Sequence, residues 1–311
     1  MSDRKPLSSY RAPHTWPVWF GMALLRLVCL LPHRVALGVG RTLGLFAHAV
    51  GGSRRAVVRR NIELCFPELS PRERDALARE HFKSLGMTMI EMGLGRWASD
   101  RHLASITRLV GVEHVREALD AGRGVILLSA HFTTLEVMGR VLATEIPPFD
   151  AVFRKNRSEF MTELQRSGRE VSAETTIEKR DIKKMVRSLR RGRAVWYAPD
   201  QSYNRKGAEV IEFFGVPAMH TTATSTLARL GEAVTIPFFP LRKPDGTYEM
   251  TLFPPFDDFP GDDPIADTKR YIALLEEHIR RVPEQYFWIH RKFKDLPEGY
   301  PDYYADLDAL K

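Results

Sequence analysis

The feature that most constrains this sequence is a short apolar run that leads directly into ionisable side chains. Residues 124–130, GVILLSA, carry no charge and are rich in aliphatic side chains, which is typical of a strand buried on both faces of a parallel sheet. The following TTLEVMGRVLA has apolar residues at helical spacing, with Thr133 or Thr134 as the expected cap. His131 is therefore predicted at a strand-to-helix junction, where open α/β sheets present reactive groups.

His131 and Glu136 are positioned to act together only if the histidine precedes the helix. Within one helix, residues at this spacing would point about 140° apart. A histidine oriented by a carboxylate is a general base, because its second ring nitrogen is left to accept a proton. The spacing is weak support, since about one match is expected by chance and a second copy, His290 with Asp295, is present. The residues alone leave a catalytic His131 and an ordinary buried histidine equally open.

Strand-like and helix-like segments alternate along the chain. Apolar runs at ITRLVG, FDAVFR, AVWYAP, VTIPFFPLR and YEMTLFPPF are separated by helical patterns such as VEHVREALDAG and DIKKMVRSLRRG, and DDPIADTKRYIALLEEHIRRVPEQY is a long late helix. A further helix is predicted after Ser70, with Pro71 at its first position and Glu73 closing a capping box. This alternation predicts an α/β fold with a mixed, mainly parallel sheet flanked by helices.

The N-terminal region contains a membrane-directed pattern. Residues 16–32, WPVWFGMALLRLVCLLP, are apolar apart from Arg26 and begin with two tryptophans, but the segment is short beside the roughly 20 residues that span a bilayer. Two buried or amphipathic helices of a soluble protein are the alternative. We predict a single span or monotopic anchor within residues 1–52 and an α/β domain over residues 53–311. The basic run RRAVVRR that follows the anchor predicts a cytoplasmic domain.

The charge balance favours an acidic partner. The chain has 46 Lys and Arg against 39 Asp and Glu, a formal net charge of +7, which suits anionic lipid, a phosphorylated substrate or an acidic protein. The sequence contains no recognisable nucleic-acid-binding module, so nucleic acid is not an expected partner. Cys29 and Cys65 are the only cysteines, so neither a disulfide framework nor a zinc ribbon is predicted.

Other segments carry candidate binding groups. In AVWYAPDQSY an apolar strand ends at Pro199, and Asp200 and Gln201 follow at the same expected sheet edge, unless they only cap a turn. Arg154 and Arg169 belong to a basic set between the two strand ends that either clamps phosphates or forms a solvated helix face. FFGVPAMHTTATSTLARLG joins a glycine turn to a helix start, whose N–H groups either receive an anion or acyl carbonyl or serve only packing.

Seven blocks together resemble a known family. HFTTLE, FRKN, SGRE, VWYAPDQSY, FFGVPAMHTT, VTIPFFPLRKPDG and PEQYFWIHRKFK occur in the order found in the late acyltransferases of lipid A biosynthesis. The resemblance implies a glycerolipid-acyltransferase-like fold with an N-terminal membrane-anchoring helix. It also implies transfer of a lauroyl or myristoyl-class chain from acyl carrier protein to a hydroxyl of the Kdo-lipid IVA precursor, in Gram-negative bacteria.

The same resemblance implies roles for particular residues. His131 and Glu136 match the family's catalytic pair, Arg169 matches an arginine implicated in activity, and Asp200 matches the aspartate after the Tyr-Ala-Pro strand. Gln201 departs from the pattern, since many members carry histidine there, and the loop after it lacks a common glycine.

The predicted function is O-acyl transfer at the cytoplasmic side of a bacterial inner membrane. His131 would deprotonate the acceptor hydroxyl, Glu136 would fix the imidazole tautomer, and Arg154, Arg169, Asp200 and Gln201 would bind substrate. Neither a metal nor a cofactor is expected, and the expected partners are acyl carrier protein, the lipid A precursor and membrane lipids. The alternatives are a lysophospholipid or other glycolipid acyltransferase of the same fold, and a non-catalytic membrane lipid-binding protein.

Overall fold

A computed structural model describes residues 5–308 of the chain. The first four residues of the predicted N-terminal segment and the last three of the predicted α/β domain lie outside the described residues. The predicted boundary at residues 52 and 53 falls in the first turn of a helix.

The helices within residues 5–308 surround the sheet. They are α1 (Trp16–Val28), α2 (His33–Val50), α3 (Gly52–Cys65), α4 (Pro71–Trp97), α5 (Asp100–Ser105), α6 (Val112–Asp120), α7 (Leu135–Glu145), α8 (Glu159–Arg169), α9 (Ile182–Arg190), α10 (Ala223–Gly231), α11 (Pro264–Arg281) and α12 (Ala305–Asp308). The longest is α4, and it begins as its sequence predicts: Ser70 and Glu73 form both hydrogen bonds of a capping box.

The strands of the described chain form one large sheet and one hairpin. They are β1 (Thr107–Val110), β2 (Val125–Leu128), β3 (Asp150–Phe153), β4 (Thr175–Glu178), β5 (Ala194–Tyr197), β6 (Ala208–Phe213), β7 (Val216–Thr221), β8 (Val234–Arg242) and β9 (Tyr248–Leu252). The large sheet has the order β1-β9-β8-β2-β5-β3-β4, and β6 pairs with β7 in the hairpin. Neighbours in the large sheet are parallel except β8 and β9.

A hydrophobic core lies on each face of this sheet. Strand β2 is buried at all four positions: Ile126 and Leu128 belong to the core under α3, α9, α10 and α11, whereas Val125 and Leu127 belong to the core under α2, α4 and α7. Burial on both faces explains why this strand is apolar throughout instead of alternating with polar residues.

The predicted α/β class with a mainly parallel sheet is confirmed, as are six predicted strands, β1, β2, β3, β5, β8 and β9. Strands β4, β6 and β7 were not predicted. Residues 175–178, TTIE, lack an apolar run. The predicted glycine turn is present at Gly215, where it joins β6 to β7, and the predicted helix start is that of α10 at Ala223. Helix α7 is also confirmed, but neither expected threonine caps it: Thr134 is at the N-cap position without a side-chain capping bond.

The predicted membrane anchor corresponds to α1 and α2. Among the described residues, no single helix is both long and apolar enough to cross a bilayer, although α2 and α3, bent by 96° between them, meet that test as a pair. Helix α2 lies against α4 at very short range, because Gly44 and Gly86 face each other's helix so closely that a Cβ on either would collide with backbone atoms. The membrane anchor stays a prediction, on two helices of which α2 packs closely against α4 and α1 has no buried residue.

Candidate active site

The candidate site is built at the carboxyl edge of two neighbouring parallel strands. Leu128 at the end of β2 lies opposite Tyr197 at the end of β5, and His131 and Asp200 each follow three residues later. The His131 Nδ1 and Asp200 Oδ1 atoms are 2.6 Å apart. The two predicted residues thus belong to one site, because each lies three residues beyond a position at which the two strands are paired.

The protonation pattern of this pair follows from its surroundings. Burial by itself raises the pKa of Asp200, but attraction and hydrogen bonding from His131, together with the charge of Lys292, outweigh burial and hold that pKa at about 2. An ionised carboxylate only accepts hydrogen bonds, so the proton between the two groups is carried by Nδ1 of His131. Nε2 then keeps its lone pair, and the side chain is 33% exposed, so a reactant can reach it.

Two residues near Asp200 were not predicted. The Tyr286 hydroxyl donates to Asp200 Oδ2 at 3.1 Å, and Lys292 Nζ donates to the Asp200 backbone oxygen at 2.5 Å. Lys292 is buried against the face of the Phe213 ring, and burial lowers its pKa to about 8. Both residues lie in PEQYFWIHRKFK, where nothing in the sequence distinguishes the buried lysine from the other basic residues.

Glu136 does not make the contact that its spacing from His131 predicted. It lies in the first turn of α7 and accepts hydrogen bonds from Arg169, with Oε1 2.9 Å from Nη2 and 3.3 Å from Nε. Arg169 also donates through Nη1 to the backbone oxygen of Val152 at 2.9 Å. The carboxylate on the imidazole is that of Asp200, and Glu136 instead holds an arginine at the same edge of the sheet.

The other predicted binding residues lie around this edge. Arg154 is exposed directly after β3. Burial lowers the pKa of Lys179, and the charges of Arg154, Arg205 and Arg180 lower it further. Gln201 follows Asp200 and is half-buried. The edge is therefore strongly basic. Within residues 5–308, no group of three or more His, Cys, Asp and Glu side chains is arranged to hold a metal ion.

The second copy of the motif has a different environment. His290 is mostly buried and its Nε2 has no hydrogen-bond partner, and burial lowers its pKa to about 4. Asp295 pairs with Lys294 at 3.0 Å and has a positive φ of 63°. The acid of this second copy, Asp295, thus pairs with a lysine, whereas His131 is hydrogen-bonded to the buried carboxylate of Asp200.

Comparison with known proteins identifies the family of this chain. Residues 4–295 match the family of bacterial lipid A biosynthesis acyltransferases. The chain belongs to that family. It is 38% identical over 294 residues to the lipid A biosynthesis lauroyltransferase of Escherichia coli (94% of this chain, 96% of the relative), and 35% identical over 289 residues to the palmitoleoyltransferase of that organism (92% and 94%). The myristoyltransferase of the same organism is 27% identical over 299 residues (94% and 91%).

Membership of the lipid A acyltransferase family makes the chain an O-acyltransferase. The family's chemistry needs a group that accepts a proton from a hydroxyl. Within the described site, the imidazole of His131 has the chemistry for such a role, since Asp200 occupies its Nδ1 atom.

We predict that His131→Ala lowers kcat for acyl transfer by at least about two orders of magnitude, the usual scale for loss of a general base. His290→Ala, the matched substitution in the second motif copy, should be much milder. Steady-state kinetics with circular dichroism as a folding check make the comparison. Equal losses in the two variants would show that the choice of His131 is wrong.

A second prediction separates the two carboxylates. Asp200→Asn and Glu136→Gln should both lower kcat, but only Asp200→Asn should move the low-pH limb of the pH–rate profile, towards acid, because a carboxylate on the imidazole favours its protonated form. Glu136→Gln should leave the limb in place, since its carboxylate holds Arg169. A limb that moves in Glu136→Gln and not in Asp200→Asn would assign the orienting carboxylate to Glu136.

Proposed function

We propose that this protein transfers a fatty acyl chain of the lauroyl or myristoyl class from acyl carrier protein to a hydroxyl of the Kdo-lipid IVA precursor. The observation that carries the proposal is the hydrogen bond from the half-buried His131 to the buried Asp200, which leaves one imidazole nitrogen basic and accessible. The chain length is supported by the identity of 38% to a lauroyltransferase. The basic surface at the site and the net charge of +7 suit two acidic substrates.

In this reaction His131 handles one proton. Nε2 takes the proton of the acceptor hydroxyl as its oxygen attacks the thioester carbonyl, and the imidazolium forms beside Asp200. The tetrahedral intermediate then collapses, the C–S bond breaks, and the proton passes from Nε2 to the departing thiolate. The products are an ester on the acceptor and the free thiol of the carrier, with His131 neutral again.

The Glu136–Arg169 pair has a different place in the proposal. A guanidinium has five N–H groups, and those of Arg169 that point to Glu136 and to the Val152 oxygen account for three. The remaining two can donate to a substrate phosphate or to the oxyanion of the intermediate, where fixed donors give large electrostatic stabilisation. Glu136 thus fixes the direction of the arginine, while Arg154 adds positive charge at the rim for the anionic groups of the substrates.

The proposed location is the cytoplasmic side of the bacterial inner membrane. Helices α1 and α2 each expose one apolar stripe with the periodicity of a helix face. The exposed residues are Trp16, Phe20, Leu24 and Leu27 on α1, and Val35, Leu43, Phe46 and Val50 on α2. Helix α1 has 13 residues, about 20 Å at 1.5 Å per residue, so an arrangement in the plane of the interface suits it better than a span.

The test is acyl transfer by the purified protein from lauroyl-acyl or myristoyl-acyl carrier protein to Kdo-lipid IVA, followed by mass spectrometry. We expect a product heavier by one acyl group and no product from His131→Ala. Lauroyl-coenzyme A and a lysophospholipid, offered in parallel, test the alternatives. Acylation of the lysophospholipid but not of Kdo-lipid IVA would replace the proposal with a lysophospholipid acyltransferase, and lipid binding without transfer would indicate a non-catalytic protein.

We also predict that the double substitution Phe20→Glu and Leu24→Glu releases the protein from vesicles containing anionic lipid in a flotation assay, because charges on an inserted apolar face are costly. Leu230→Glu is the matched control, since Leu230 is 44% exposed on α10, away from α1 and α2. Equal retention of both variants on the vesicles would show that the stripe of α1 does not contact lipid.

A further inference from the structure

A buried ion pair lies beneath the loop that carries His131. Arg242, the last residue of β8, donates from Nε to Glu91 Oε1 at 2.5 Å and from Nη2 to Glu91 Oε2 at 3.0 Å. The side chains are 5% and 0% exposed. Burying two charges costs desolvation energy that the pair barely recovers, and neither residue takes part in the proton transfer described above.

The third donor of this arginine connects the pair to the His131 loop. Arg242 Nη1 donates to Ser84 Oγ at 3.0 Å, and Ser84 Oγ is hydrogen-bonded to Thr133 Oγ1 at 2.7 Å. Ser84 and Thr133 are each 1% exposed, so water does not compete for these bonds. Thr133 is the second residue after His131. The series of hydrogen bonds from Arg242 through Ser84 of α4 therefore reaches the loop that carries His131.

A second connection starts from the backbone of the same arginine. The Gln285 side chain accepts from the Arg242 N–H at 2.7 Å and donates to the Arg242 oxygen at 2.8 Å. The backbone oxygen of Gln285 in turn accepts from the Thr133 N–H at 2.9 Å, and Phe287 N–H donates to the His131 oxygen at 3.0 Å. The loop is thus held on both sides by groups that converge on Arg242.

We propose that Arg242 is a positioning residue for the acyl transfer reaction, acting through Ser84 and Gln285 on the His131–Thr133 loop. The network fixes the backbone from which the imidazole projects, so that Nε2 stays in line with the acceptor hydroxyl. A displacement of about 1 Å at a reacting group can cost about a hundredfold in rate. This inference rests on the proposed role of His131 as the general base.

The chain offers a matched control for the link through Thr133. Thr134 is the next residue and is also buried, 0% exposed, but its hydroxyl has no hydrogen-bond partner. Replacing either threonine with valine removes one buried hydroxyl and keeps the side-chain shape. Only the substitution at Thr133 breaks the connection to Ser84.

The experiment compares Thr133→Val, Thr133→Ser and Thr134→Val in the full-length protein, at a temperature well below the melting midpoint of each variant. We expect Thr133→Val to lower kcat by roughly tenfold or more with the KM for donor and acceptor within about twofold of wild type. Thr133→Ser restores the hydroxyl and should recover most of the loss, and Thr134→Val should stay close to wild type. Ser84→Ala removes the bonds to both Arg242 and Thr133, so it should lower kcat at least as far as Thr133→Val. The double variant Ser84→Ala/Thr133→Val should be no worse than Ser84→Ala alone, because the bond between the two hydroxyls is already lost.

Equal kcat values for Thr133→Val and Thr134→Val, or no rescue by Thr133→Ser, would overturn the inference. If Thr133→Val does not fold, Ser84→Ala is measured in its place, and a folded Ser84→Ala with near-normal kcat would also overturn the inference. The His131→Ala variant separates this outcome from failure of the proposed function. Full activity in His131→Ala contradicts the general base itself, whereas an inactive His131→Ala beside a normal Thr133→Val contradicts only the positioning network.

Discussion

The parallel pairing of β2 with β5 is the constraint on which the site depends. In a parallel pair, residues at equal distances beyond a matched position leave the sheet side by side. Leu128 and Tyr197 are matched, so His131 and Asp200 emerge together although 69 residues separate them in sequence. A shift of one residue in this register would turn the buried positions of β2 to the opposite faces. The two cores that hold the strand therefore also fix the geometry of the His131–Asp200 pair.

Much of this arrangement could be predicted from the sequence, because its signals are local. An apolar run followed by a helical pattern places His131 at a junction, and AVWYAP places Asp200 at the end of another strand. The order of strands is not a local property. No local sequence pattern indicates that β5, rather than β3, lies beside β2. Sequence spacing therefore favoured Glu136, which is nearer to His131 in sequence, as the partner of the imidazole. Tyr286 and Lys292 were missed for the same reason, since long-range packing brings them to Asp200.

The surroundings of Asp200 explain how its buried carboxylate stays ionised. A carboxylate that is 1% exposed would normally be driven to its neutral form. Here the imidazole, a tyrosine hydroxyl and a lysine ammonium surround it, so it stays ionised in a medium of low polarity. There its attraction for a positive imidazole is stronger than in water. In the proposed reaction, this environment stabilises the imidazolium that forms when His131 takes the proton of the acceptor.

Helix α4 connects α2 with the loop that carries His131. It spans 27 residues, about 40 Å at 1.5 Å per residue. One of its turns carries Gly86, packed against α2, and Ser84, bonded to the loop of His131. Such close packing leaves α2 no room to slide along α4. If α1 and α2 rest on a bilayer, the imidazole stands at a fixed height above the lipid surface. The hydroxyl of a glycolipid must then lie at that height above the lipid surface in order to react. The distance of the hydroxyl from the surface, in addition to recognition of the head group by the protein, then limits which lipids are acylated.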